Sequence, residues 1–193
     1  MKQVTAVLVF FALSSLALSG AYAQADLALK GVGFRIGLVD PEDVDATISF
    51  GFFADLGHVS SNVALETYFD FWTKSEDVLG GGEVSARDFV IGAKAKYIFP
   101  VSNPRIRPFA GGGLGFHVFT AGVDIPAIDY GGGFIAPAVS EDDTEIKVGL
   151  DMGGGIAFDI NPGMAMLTEA WYTVVSDISQ LSVKVGMMFR LGS

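Results

Sequence analysis

Carboxylates and amines alternate with apolar residues through much of this 193-residue chain, and they are the side chains that could do chemistry. Glu66 and Asp70 lie close together, and with Glu169 and nearby lysines they could serve as a general acid and a general base. The alternative is that these groups form internal ion pairs that fill a narrow space. The pattern of the strands that carry these residues, described below, favours ion pairs over an acid and base pair.

Other kinds of site find little support in the sequence. The histidines His58 and His117 have no serine at a recognisable spacing for a hydrolase, which favours polar filler for both. A chain with no cysteine has neither thiolate chemistry nor a cysteine metal site. The glycine triplets at 80–82 and 131–133 join no strand to a helix, which argues against a phosphate cradle, and no acidic spacing matches a calcium loop. We predict no catalytic residue, no metal and no cofactor.

The segment 46–72 shows how the ionisable side chains are positioned. Apolar residues recur at every second position on both sides of a turn at 57–61, which predicts two antiparallel strands and not a helix. About eleven residues per arm, at roughly 3.3 Å each and a tilt near 40°, rise on the order of 27 Å, the height of a bilayer's apolar band. The polar face of the same two strands carries the carboxylates.

The alternation continues along the chain and predicts about eight antiparallel strands. They cover residues 31–39, 46–56, 62–72, 87–99, 106–119, 145–159, 164–174 and 181–191. Short turns at 57–61, 100–105 and 161–163 alternate with connections near residue 40, at 74–85, at 121–143 and near residue 176. An even number of strands with this alternation is typical of bacterial barrels, in which the short turns are periplasmic.

The distribution of charge decides between a soluble barrel and a membrane barrel. Charged residues occupy one face of the predicted strands, and the other face has almost none. Because a lipid-facing Arg or Lys costs roughly 2 to 4 kcal/mol at mid-bilayer, the face without charge suits lipid. A soluble barrel would have the reverse polarity. We predict a lumenal charge network of Arg35, Asp55, Glu66, Asp70, Asp88, Lys94, Lys96, Arg107, Lys147, Asp151, Glu169, Lys184 and Arg190.

The first residues predict export. Lys2 precedes an apolar run at 4–18, and Gly20-Ala21-Tyr22-Ala23 provides a small-x-small cleavage site. We expect a cleaved signal peptide at 1–23 and one barrel domain at 24–193. Loss of the signal moves the formal charge from −10 to roughly −11. The rest of the sequence has no apolar run long enough for a transmembrane helix, and the acidic balance argues against nucleic-acid binding.

Three stretches rich in glycine and aromatic residues carry a resemblance to a known family. They are NPRIRPFAGGGLG at 103–115, GGGIAF at 153–158 with the turn at 161–162, and the last strand. They resemble the small outer-membrane β-barrel superfamily of outer membrane proteins A, X and W. The last strand also contains Lys184, Gly186, Met187 and Phe189, which is similar to the signal that the outer-membrane assembly machinery recognises in final strands. Here the chain continues past the aromatic residue to Ser193.

The pattern and the resemblance together predict an all-β, transmembrane, up-and-down barrel with a structural or surface role in the cell envelope and no enzymatic activity. A narrow pore is one alternative. A site for small hydrophobic molecules is implied by resemblance to the outer membrane protein W branch, and a lipid-modifying hydrolase is the last alternative. Expected partners are outer-membrane lipid and lipopolysaccharide, the assembly machinery, and divalent cations at the acidic loops. We expect a monomer.

Overall fold

Alternating apolar and polar residues form ten β-strands in the computed structural model, which describes residues 26–42, 44–78, 81–129, 135–176 and 178–192. The strands are β1 (Asp26–Pro41), β2 (Thr47–Ser60), β3 (Val63–Val78), β4 (Gly82–Ile98), β5 (Ile106–Ile125), β6 (Ile128–Asp129), β7 (Ile135–Ala136), β8 (Val139–Asn161), β9 (Met164–Val175) and β10 (Gln180–Arg190). Eight of them close into an antiparallel barrel in the order β1-β10-β9-β8-β5-β4-β3-β2, while β6 and β7 form a separate ribbon. The predicted eight-stranded barrel is confirmed.

Some predicted features lie outside the described residues. These are the signal peptide at 1–23 and the glycine triplet at 131–133. Within the part of the chain that the structure describes, no helix has the length and apolar character needed to cross a membrane.

The barrel has the opposite polarity to a soluble protein. Outward side chains are apolar and exposed, as at Phe52 (63 %) and Ile91 (63 %), whereas inward side chains are buried and often charged, as at Arg35 (2 %) and Lys94 (3 %). Because apolar surface is favoured in hydrocarbon over water, this wall suits acyl chains. The two faces of the strands therefore have the orientation that the charge pattern predicts.

Three short connections lie at one end of the barrel, which we call the short-turn end. They are residues 61–62, 99–105 and 162–163. The predicted turn at 57–61 is wrong in position, because Gly57 adopts a φ of 85° within β2, where the pairing with β3 shifts register between Asp55 and His58. A Cβ at Gly57 would lie 2.2 Å from the carbonyl oxygen of Asp26. Glycine permits this bulge, and the strand continues to Ser60 before the chain reverses.

At the opposite end, four strands run past their neighbours. β3, β4, β5 and β8 stay paired at 73–78, 82–87, 120–125 and 139–146, and we call these residues the extension sheet. The predicted connections at 74–85 and 121–143 are wrong in extent for this reason. Backbone pairing does not require an apolar face, so it continues where both faces of the sheet meet water. The strands therefore extend past the point where the alternation of apolar and polar residues ends.

The interior of the barrel is filled by side chains. Near the short-turn end the fully buried side chains include the apolar residues Ala157, Ala165, Leu167 and Met188. Further along the axis the filling is mostly ionised, aromatic or hydroxylic. An eight-stranded barrel is only just wide enough for its own inward side chains.

Candidate functional site

Arg35 occupies the centre of the lumen and contacts three carboxylates. From β1, its Nε donates to Oδ1 of Asp70 (3.0 Å) and its Nη2 to Oδ2 of the same residue (2.9 Å). Its Nη1 donates to Oε1 of Glu169 (2.6 Å) and to Oε1 of Glu66 (3.2 Å). The fork on Asp70 is the bidentate geometry in which arginine binds carboxylate most strongly.

Glycines on the two neighbouring strands make room for this guanidinium. Arg35 lies opposite Gly51 on β2 and opposite Gly186 on β10. A Cβ at Gly51 would lie 2.0 Å from Oδ1 of Asp70 and 3.0 Å from Nε of Arg35, and a Cβ at Gly186 would lie 3.0 Å from the Cβ of Arg35. A larger residue at either position would therefore displace the side chains that meet at the centre.

Two lysines complete the charge balance at the centre. Lys184 donates to Oδ2 of Asp70 (2.8 Å), and Lys96 donates to Glu66 and lies 3.4 Å from Oε2 of Glu169. Three carboxylates thus face three cations. We call Arg35, Glu66, Asp70, Lys96, Glu169 and Lys184 the Arg35 network. Buried charges are tolerated when each is paired in this way.

A second ionic group lies beside the Arg35 network and is enclosed by aromatic rings. Nζ of Lys94 lies 4.0 Å from Oδ2 of Asp151, 4.1 Å from the ring centre of Tyr68 and 4.2 Å from that of Trp171. Asp151 also accepts hydrogen bonds from Tyr68 Oη (2.5 Å) and Thr173 Oγ1 (2.7 Å). Contacts of an ammonium with ring faces are attractive when water is excluded, so the rings close the space around Lys94 and help to hold its charge.

Asp88 and His117 form a separate pair toward the extension sheet. Nδ1 of His117 donates to Oδ2 of Asp88 (2.8 Å), and both side chains are buried. Among the described residues, Nε2 of His117 and Oδ1 of Asp88 have no hydrogen-bond partner. The sequence pattern does not predict this pair, because it favours polar filler for His117. The only signal for it is that both residues lie on inward positions of paired strands.

The remaining predicted network residues lie toward the two ends of the lumen. At the short-turn end, Arg107 donates to Asp159 (2.9 Å) and Arg190 contacts the same carboxylate, while Asp55 accepts from the backbone N–H of Gly57 (2.8 Å). Toward the extension sheet, Lys147 pairs with Glu145 (2.7 Å). The structure therefore divides the predicted set into several groups. It also adds Asp159, which the pattern would place on an inward position of β8.

Little open space remains in the lumen. One cavity of about 50 Å³ lies beside Asp55 and Arg107, and one of about 20 Å³ lies between Ser49, His117 and Lys184. A water molecule needs roughly 10 to 15 Å³ by this measure, so these cavities fit a few waters at most. Arg35 lies between them, since it contacts Glu66 beside the first and Asp70 beside the second. A larger hollow of about 520 Å³ lies on the outer wall among Phe34, Phe52, Phe69 and Ile91.

The proposed assembly signal spans both faces of β10. Lys184 and Gly186 face the lumen, while Phe189 is exposed on the outer wall with its ring centre 6.3 Å from that of Phe34, and Met187 is half-buried. The chain continues in register past the aromatic residue, because the N–H of Leu191 donates to the carbonyl of Lys30 (2.7 Å).

Known proteins share this fold. Residues 5–190 match the family described as outer membrane protein beta-barrel domain. The crystal structure of Neisserial surface protein A is similar with a TM-score of 0.64 and 15 % identity, covering 86 % of this chain and 100 % of that one. Ail of Yersinia pestis, solved in complex with the heparin analogue sucrose octasulfate, has a TM-score of 0.55 and 14 % identity, covering 84 % and 99 %.

A major outer membrane protein from Thermus thermophilus is also similar, with a TM-score of 0.58, 8 % identity, and coverage of 83 % of this chain and 99 % of that one. No curated protein matches the sequence. At these identities the structures support the fold alone, while the family match extends over nearly the whole chain. The protein is therefore a member of the outer membrane protein beta-barrel domain family and resides in the bacterial outer membrane.

Proposed function

We propose that this protein is a non-enzymatic barrel with a structural and surface role in the cell envelope, and that its lumen does not conduct solutes. The observation that carries the proposal is the Arg35 network. Six paired, buried charges from β1, β3, β4, β9 and β10 cross the lumen between two cavities that fit only water. Opening a path would require these ion pairs to separate, at a cost of several kcal/mol for each uncompensated charge.

The proposed orientation follows from the lengths of the connections. Short turns are periplasmic in bacterial barrels, so the extension sheet faces the outside of the cell. The expected partners are then outer-membrane lipid and lipopolysaccharide around the wall, and the assembly machinery at β10. A monomer agrees with a closed barrel that leaves no strand edge within the wall. Divalent cations at the acidic loops remain part of the proposal, although no group of three or more His, Asp and Glu among the described residues is placed to hold a metal ion.

The absence of enzymatic activity is supported by the surroundings of His117. A histidine held by a carboxylate supplies two members of a hydrolase triad, and the third member is a nucleophile bonded to the free ring nitrogen. Nε2 of His117 instead faces Gly149, where a Cβ would lie only 2.6 Å away. No hydroxyl of a described residue forms a hydrogen bond with it.

The hollow on the outer wall bears on the alternative of a site for small hydrophobic molecules. Its lining is apolar, and it opens on the side of the strands that faces lipid. Acyl chains of the surrounding membrane are the molecules that suit this hollow. The hollow lies on the outer wall and not in the lumen, so it is consistent with the proposed structural role.

Planar-bilayer recording tests the closed lumen. We expect the purified, refolded protein to give no unitary conductance steps. As a matched comparison, the Arg35→Ala, Glu169→Ala double variant removes one cation and one anion, leaves the net charge unchanged and opens space at the centre. Conductance steps that appear only in this variant would support the proposal that the Arg35 network closes the lumen. Regular steps from the unmodified protein would contradict it and favour the narrow pore, and heat-modifiable migration on a gel would check that both proteins are folded.

A further inference from the structure

Three arginines meet a single carboxylate at the short-turn end of the barrel. Arg107 of β5 and Arg190 of β10 both contact Oδ1 of Asp159 on β8. Arg105 lies beside them, because its carbonyl accepts a hydrogen bond from the N–H of Asp159 (2.8 Å). Its exposed guanidinium forms no ion pair with a described residue. We call Arg105, Arg107, Asp159 and Arg190 the arginine cluster.

The backbone of the turn between β8 and β9 fixes one of these guanidinium groups. Nη1 of Arg190 donates to the carbonyl oxygens of Pro162 (3.0 Å) and Asn161 (3.4 Å). The side chains of Arg107 and Arg190 are 28 % and 22 % exposed, so each reaches water from a partly buried position. A cation that is already held in place loses little side-chain entropy when it binds a ligand.

Several donors of the arginine cluster have no acceptor. A guanidinium has five N–H donors. Arg107 uses Nη2 to bind Asp159 (2.9 Å), whereas its Nε is buried and has no hydrogen-bond partner among the described residues. Guanidinium groups that are held near one another also repel. A second anion would therefore supply acceptors and reduce the repulsion at the same time.

The charge of the short-turn end differs from that of the whole chain. The described ionisable side chains there are the cations Lys30, Arg105, Arg107 and Arg190 and the carboxylates Asp26, Asp55 and Asp159. Lys30 pairs with Asp26 (2.7 Å), which leaves the excess of positive charge with the arginines. The formal charge of the chain is −10, and most of its carboxylates lie toward the opposite end. An anion is thus attracted to the short-turn end and repelled from the other.

The arrangement of the arginines favours a phosphate group. Arginine binds both carboxylate and phosphate through its fork of donors. These guanidinium groups come from β5, from β10 and from the connection before β5, so they approach an anion from different directions. A tetrahedral phosphate has oxygens outside a single plane, and a phosphate monoester carries a charge of about −1.5 to −2 at pH 7. The adjoining cavity of about 50 Å³ is small, so the phosphate would lie at the mouth of the lumen and not inside it.

We propose that the arginine cluster binds a phosphate group at the mouth of the lumen. Two sources have this chemistry, the headgroup of an anionic phospholipid in the adjacent leaflet and a soluble phosphate or phosphate ester. The site goes beyond a structural role. It does not depend on whether the lumen is closed, because the arginine cluster shares no residue with the Arg35 network.

NMR of the arginine side chains tests the site directly. We expect inorganic phosphate to shift the Nε–H resonances of Arg107 and Arg190 in the full-length protein in phosphatidylcholine nanodiscs. The resonance of Arg87, in the extension sheet, should not move. Acetate at the same ionic strength should have a smaller effect. If Arg107 and Arg190 do not shift, if Arg87 shifts equally, or if acetate acts as strongly as phosphate, the proposal is wrong.

Variants of opposite charge test the contribution of the arginine cluster. Arg105→Gln breaks no ion pair between described residues and should weaken phosphate binding about two- to fivefold, which is what an exposed ion pair contributes. Asp55→Asn removes a carboxylate that lines the same cavity as Arg107, keeps an oxygen for the N–H of Gly57, and should strengthen binding by a similar factor.

Arg87→Gln is the matched control, because it removes the same charge at the other end of the barrel. We expect it to change the affinity for phosphate by less than about twofold, since salt screens exposed charges beyond roughly 8 to 10 Å. Equal losses in Arg105→Gln and Arg87→Gln would contradict binding at the arginine cluster.

The composition of the nanodisc separates the two sources of phosphate. If a lipid headgroup occupies the arginine cluster, replacing half of the phosphatidylcholine with phosphatidylglycerol should shift the same arginine resonances and weaken the apparent affinity for inorganic phosphate. If the ligand is soluble, this exchange of lipid should leave the affinity unchanged. Arginine resonances that respond to neither phosphatidylglycerol nor inorganic phosphate would overturn the proposal.

Discussion

At the scale of single residues, the Arg35 network shows how a narrow barrel accommodates buried charge. Each carboxylate of the network contacts two cations, and Arg35 contacts all three carboxylates. The facing glycines, Gly51 and Gly186, leave the space that the guanidinium fills. Arginine suits this place better than lysine because its fixed fork of donors can bind several carboxylates at once.

Replacement of Arg35 should destabilise the barrel strongly. Arg35→Met removes the shared cation and leaves Glu66, Asp70 and Glu169 with only two lysines, so we expect a loss of about 3 to 5 kcal/mol in the free energy of unfolding. Urea titration of the protein in lipid vesicles measures it. Arg35→Lys keeps the charge but loses the fork on Asp70. Its free energy of unfolding should therefore lie between that of Arg35→Met and that of the unmodified protein. Unfolding of Arg35→Met at the same urea concentration as the unmodified protein would show that the network contributes little.

At the scale of secondary-structure elements, the strands divide into a wall and an extension. The wall strands have one face for lipid and one for the lumen, which accounts for their strict alternation. In the extension sheet both faces meet water, and the residues there are mostly exposed. The extension adds no strand to the closed ring, so the stability of the barrel should not depend on it.

Shortening the β5–β8 hairpin tests this independence. Gly122 lies opposite Asp142, so residues 123–141 can be replaced by Asn-Gly, which forms a tight two-residue turn between paired strands. We expect the shortened protein to keep its heat-modifiable migration and to unfold within about 1 kcal/mol of the full chain, because tips of exposed loops tolerate deletion. Failure of this variant to fold would show that the extension sheet is needed for barrel formation.

At the scale of the whole molecule, the placement of charge separates a membrane wall from a soluble surface. Exposed apolar residues surround the barrel, and the lumenal charges neutralise one another. A formal charge of −10 therefore resides largely outside the wall region, where water and salt screen it. The outward face of the wall is therefore the part of the molecule that contacts the bilayer.

A charge placed on the wall should be costly only where lipid contacts it. Ile91→Arg places a cation on the outward face of β4, and we expect it to lower the free energy of unfolding in lipid vesicles by roughly 2 to 4 kcal/mol. Glu83→Arg introduces arginine on the same strand but in the extension sheet, so its effect should be small. If the two variants unfold alike, Ile91 does not face hydrocarbon.

Much of this molecule could be predicted from its residues. The period of two depends on local backbone geometry, so it predicts strands and assigns each side chain to one face without any knowledge of neighbours. The inward positions of Arg35, Glu66 and Lys94 follow from that alternation, and the family follows from the pattern as a whole. The ends of the strands are harder to predict from the sequence, because they depend on pairing with another strand. The bulge at Gly57 and the length of the extension sheet are the two examples.

The sequence by itself determined which residues face the lumen and that they carry opposite charges in similar number. Only the tertiary structure decided which of them meet. Arg35 binds Asp70 at a separation of 35 residues and Glu169 at a separation of 134, while Asp88 joins His117 instead of the Arg35 network. The physical reason is that contacts across a closed barrel depend on the register of every intervening strand pair, and alternation within a single strand carries no information about that register.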